Sequence, residues 1–145
     1  MKLDQPIGKT TFGPVFIRIT LGAYLLMSGL GRFDNLAMLT EQVKLSQVFP
    51  ENWATVYATL LPYFEVVAGA LFLGGFWTTL SSLLVILVVG SYLYIFGIDV
   101  TRTDPFNFPI PFNENLIFLG AAISTLFTGP GIFSLDGFRN NSSSS

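Results

Sequence analysis

Residues 54–98 read ATVYATLLPYFEVVAGALFLGGFWTTLSSLLVILVVGSYLYIFGI, and Glu65 is the single charged side chain among them. A bilayer core is about 30 Å thick, which roughly 20 apolar residues cross as a helix rising 1.5 Å per residue. The stretch is long enough for two crossings. Gly74-Gly75-Phe76-Trp77 divides them, because paired glycines end a helix readily and tryptophan favours the headgroup level. The pattern predicts a tight helical hairpin with spans at 54–76 and 78–98. Glu65 falls halfway along the first. An ionised carboxylate alone in hydrocarbon costs several kcal/mol, so Glu65 must be protonated, be paired or face a polar interior.

The whole chain reads the same way. Of its 145 residues 51% are hydrophobic and 11% charged, against about 25% charged in an ordinary soluble domain. Mean hydropathy is +0.61. The net charge of −2 comes with seven scattered basic residues, so there is no surface to neutralise a row of phosphates and nucleic acid is excluded as a partner. Membrane lipid is the expected surrounding. With no cysteine and no histidine, the chain lacks disulfides, thiol relays and the usual ligands of zinc, iron–sulfur clusters and haem. No metal site is expected, and any redox chemistry would use a partner's cofactor or a diffusible one.

Two further apolar runs flank the hairpin. The run at 14–31 opens on Pro14, a favoured helix start, and carries Arg18 near one end. The run at 113–129 is short and stops at Gly129-Pro130-Gly131. Together they predict an all-α four-helix membrane bundle, a single domain over 1–138, with both termini on one side and residues 139–145 a disordered tail. The first run follows a polar stretch and leads into Gly-Arg-Phe-Asp, so it reads as a retained helix instead of a cleaved signal. Lys2, Lys9, Arg18 and Arg139 on the terminal side outnumber Arg32, Lys44 and Arg102 opposite, which favours cytoplasmic termini. A prokaryotic inner membrane is the expected location.

The loop at 99–114 interleaves Pro105, Pro109 and Pro111 with Phe106, Phe108 and Phe112. It is expected to anchor at headgroup depth, or to cap a cavity or dock a partner. Small residues such as Gly22, Gly29, Ala58, Ala70 and Gly120 read as places where helices approach closely. Pro62 frees the carbonyl of Ala58 and leaves a polar defect one turn before Glu65. Three arrangements are open for that acid. Arg18 could reach it from the first helix, Arg18 could instead snorkel to the headgroups, or a neutral Glu65 could be satisfied by Ser28, Tyr24 or Tyr92.

The order and spacing of several short pieces resemble the DoxX-like integral membrane proteins. They are Arg18, Gly22 and Ser28-Gly29-Leu30-Gly31-Arg32-Phe33; then Pro62-Tyr63-Phe64-Glu65 through Ala68-Gly69 and Leu73-Gly74-Gly75; then Glu114-Asn115-Leu116, Thr128-Gly129-Pro130-Gly131 and Ser134-Leu135-Asp136. The resemblance implies a small non-catalytic subunit, an anchor or scaffold, in a larger membrane-bound redox or electron-transfer complex. It implies as an alternative a quinone-site subunit of a thiosulfate:quinone type of oxidoreductase, with Glu65 as candidate catalytic group and Arg18, Tyr63 and Glu65 as candidate contacts for a quinone or bound lipid. A small transporter is the third reading, for which no inverted repeat is visible.

Overall fold

The computed structural model describes residues 12–96, 115–129, 131 and 133–136. Five helices run through them: α1 (Gly13–Phe33), α2 (Leu36–Leu45), α3 (Glu51–Gly74), α4 (Thr78–Phe96) and α5 (Asn115–Thr128). No strand occurs among the described residues. Helix is what lipid demands, since it satisfies every interior backbone group within its own segment. Three of the five, α1, α3 and α4, are long and apolar enough to cross a membrane, while α5 has 14 residues. The chain is an all-α, multi-pass membrane protein.

The expected spans at 14–31, 54–76, 78–98 and 113–129 correspond to α1, α3, α4 and α5. The segment between Arg32 and Asn52, expected as a loop, contains α2. It packs Leu39 and Val43 against the bundle and leaves Met38 and Leu45 exposed. Ten residues of ordinary hydropathy give too weak a periodic signal to stand out beside the long apolar runs. The loop at 99–114 and the tail from Arg139 lie outside the described residues.

Four helices close a ring. α1 packs on α3, α3 on α4, α4 on α5 and α5 on α1, so α1 and α4 face each other across the interior. α2 lies against α3. The ring buries Leu21, Leu25, Ala58, Leu61, Ala68, Phe72, Val85, Val89 and Ala122, and leaves Phe16, Met27, Leu60, Phe64, Leu87 and Ile117 on its outside, as lipid requires.

The α1–α3 contact is the closest. A Cβ built on Gly69 would lie 2.7 Å from the Leu26 backbone nitrogen and 2.9 Å from the Gly22 carbonyl oxygen. The two backbones touch there. Without a hydrophobic force between helices in lipid, such approach and its dispersion contacts hold the pair together. Gly69→Ala is therefore expected to destabilise by about 1–3 kcal/mol, the range for overpacking a close-packed site. Gly120→Ala, where no described residue lies within 4 Å, serves as the neutral control. Unfolding by SDS titration in mixed micelles, followed by circular dichroism, reads the difference; equal stability of the two variants would refute the contact.

Candidate functional site

The charged side chains inside the ring stand in two groups, apart from a buried hydroxyl pair, Ser82 and Thr125, 3.3 Å apart between α4 and α5. At the end where α1 begins, Arg18 is 2% exposed. Its Nε donates to the Phe72 carbonyl at 3.2 Å, and its Nη2 to those of Leu73 at 3.2 Å and Phe133 at 3.3 Å. Phe72 and Leu73 belong to the last turn of α3, whose final carbonyls have no partner within the helix. Gly75, at φ +62°, then ends α3 in the left-handed conformation, and a Cβ there would meet the Arg18 guanidinium at 2.6 Å. The chain beyond α5 completes this cluster. Asp136 accepts from the Trp77 and Thr78 backbone N–H groups at 3.2 and 2.7 Å and from the Thr78 hydroxyl at 2.9 Å, capping the start of α4.

At the other end of α1, 14 residues and about 21 Å further along, stands Arg32. Its Nη1 donates to Glu65 Oε1 at 2.7 Å and to the Tyr92 hydroxyl. The guanidinium carbon also lies 4.5 Å from the centre of the Tyr92 ring. Ser28 donates to the same Glu65 oxygen at 3.1 Å. Ser28 and Arg32 of α1, Glu65 of α3 and Tyr92 of α4 thus meet in the interior, with Arg32 reaching across the ring's diagonal. Tyr57 donates to the Ser91 hydroxyl at 2.6 Å close by, since the Ser91 proton goes to the Val88 carbonyl. Glu65 is 0% exposed, and its Oε2 has no hydrogen-bond partner among the described residues.

The structure does not bring the candidate residues together. Glu65 faces the interior, as its cost in lipid requires. Arg18 neither pairs with it nor snorkels: it sits two turns away along α3, holding carbonyls. Tyr63 is 56% exposed on the lipid-facing side of α3, edge-on to Phe33. Tyr24 stacks on Phe118 of α5 instead of approaching the acid. Sequence reasoning missed Arg32 as the partner of Glu65, although the signal was present. Ser28 and Arg32 are spaced i, i+4 and so share one face of α1.

A family model described as methylamine utilisation protein MauE matches residues 10–128. The chain belongs to that family. The match runs from before α1 to the end of α5 and so covers the whole ring. It overturns the resemblance to DoxX-like proteins. The glycines, the arginine at a helix exit and the intramembrane glutamate that carried that resemblance are devices any compact membrane bundle uses to bring helices together and neutralise a buried charge. No curated protein and no solved structure matches the chain.

Proposed function

We propose that this MauE-family chain is a non-catalytic membrane subunit, an anchor or scaffold, of a methylamine-utilisation system. In this reading α5 completes a fourth crossing, so that both termini face the cytoplasm of a prokaryotic cell across its inner membrane. The observation that carries it is the family match over residues 10–128. The chemistry agrees with a supporting role. Oxidising a primary amine removes two electrons, and a chain without cysteine or histidine offers few ligands for a group to receive them. The polar side chains of the interior hold helices to one another. Other subunits, in contact with the lipid-facing surface, would carry the redox centre.

Deleting the gene in its native host should abolish growth on methylamine as sole nitrogen source while leaving growth on ammonium intact. Purification in mild detergent should recover an amine-oxidising component with the chain. Unimpaired growth on methylamine would overturn the assignment. Glu65→Gln, which keeps the shape and most hydrogen bonds, should leave assembly with that component intact.

Topology has its own test. Cysteines introduced singly at Gln5, Gln47, Asn107 and Asn140 meet no native thiol background. An impermeant maleimide applied to whole cells should label Gln47→Cys and Asn107→Cys only. Labelling of Gln5→Cys would refute the orientation, and labelling of Asn140→Cys beside the two loop positions would refute the fourth crossing.

A further inference from the structure

Glu65 is half satisfied. Oε1 accepts from Arg32 and Ser28, whereas Oε2 is buried with no donor to it among the described residues. Few other charged or titratable groups face it among the described residues. α1 contributes Arg32, α4 contributes Tyr92, and Tyr57 lies on α3 itself. α2 brings Lys44 only to Glu51, at 3.0 Å and about 21 Å along α3 from the acid. A buried carboxylate with an unused oxygen has lost hydration without full replacement, and a proton on that oxygen removes the charge that makes the loss costly.

The two arginines differ in their freedom to respond. Arg18 is enclosed and tied to three carbonyls. Arg32 keeps 27% of its side chain exposed at the end of α1, and its long stem can carry the guanidinium to the headgroup layer. Between the two clusters α1 and α3 bury only apolar side chains, Leu21, Leu25, Ala68 and Phe72, while the buried Ser82 and Thr125 hydroxyls bond each other between α4 and α5 at 3.3 Å. Among the described residues the partly exposed approach to Glu65 is therefore the one at Arg32.

We propose that Glu65 is a proton-binding site inside the membrane, loaded from the side on which α1 ends, with Arg32 as its movable counter-charge. A proton from the aqueous phase on that side adds to Oε2. The cluster passes from neutral to one positive charge, which Arg32 carries outward as it leaves Glu65 for the headgroups. When the proton departs, Arg32 returns to Oε1 and Tyr92. The apolar floor prevents the proton from continuing, so the site binds and releases without conducting. This goes beyond the role of a scaffold, because it makes the bundle's Arg32 end respond to the proton concentration on one side.

Infrared difference spectroscopy of the protein in nanodiscs, between alkaline and acidic buffer, tests this directly. Acidification should produce the C=O stretch of a protonated carboxyl that shifts in D₂O and is absent in Glu65→Gln. Arg32→Gln should show the same band in buffer where the wild type lacks it, because the paired cation that holds Glu65 ionised is gone. Glu65→Asp should keep a band at a displaced frequency and covers the case in which Glu65→Gln does not fold. Absence of any such band over the pH range in which helix content is constant would overturn the proposal. So would a band that Glu65→Gln retains, or one that Arg32→Gln leaves unchanged.

Discussion

Replacing Arg32 with leucine is expected to destabilise the folded bundle by about 3 kcal/mol, at the lower end of what breaking a buried ion pair costs, because Arg32 is itself 27% exposed. The loss arises at the other residue. Leucine leaves Glu65 enclosed with, among the described residues, only the Ser28 hydroxyl to offset its charge. Replacing both Arg32 and Glu65 with leucine should recover most of the stability, since two apolar groups in a packed interior leave no charge to compensate. The cycle of single and double variants, measured by SDS titration, isolates the pair. A double variant as unstable as Arg32→Leu would show that the charge pairing is not what holds the helices. Acidification should shrink the cost of the single substitution, because a protonated Glu65 has no charge to leave unpaired.

The second large effect is expected at the opposite end. Arg18→Met removes a donor from the Phe72, Leu73 and Phe133 carbonyls at once; Phe72 keeps the Gly75 N–H at 3.2 Å, and each buried acceptor left unsatisfied costs about 1–3 kcal/mol. About 3 kcal/mol in total follows if part of the interior relaxes. The consequence is also local. Arg18 ties α1 and the α3–α4 turn to the chain beyond α5, so that chain should loosen and be cut sooner in limited proteolysis near residue 133. Arg18→Lys should restore little, because a single ammonium cannot reproduce the guanidinium's fork across three carbonyls. Full rescue by lysine, or unchanged proteolysis in Arg18→Met, would contradict this account.

The reach of the sequence differs from element to element. The α3–α4 hairpin was legible because its signals are local: a long apolar run, paired glycines, and a tryptophan at the boundary. The left-handed Gly75 that ends α3 lies within the glycine pair named for that purpose. The inward position of Glu65 was legible too, since no lipid-facing position tolerates a lone acid. α2 was not, because ten residues with two buried apolar positions carry little periodic signal.

The site depended on a quantity no single segment contains, the register of one helix against another. From the chain alone Arg18 lay near one end of the first apolar run and Arg32 just past the other, in the expected loop, and pairing of Arg18 with Glu65 was one of three arrangements left open. The backbone contact at Gly22 and Gly69 sets α1 antiparallel to α3 so that Arg18 falls beside Phe72 and Leu73, and Ser28 and Arg32 beside Glu65. Sliding α1 by two turns would bring Arg18 beside Glu65 and carry Arg32 past it without changing a residue. Sequence by itself determined the solvent, the helices and the need for a counter-charge, because these follow from transfer energies and helix length. Which arginine answers that need was decided only by the packing of α1 on α3, because pairing depends on distances between residues far apart in the chain.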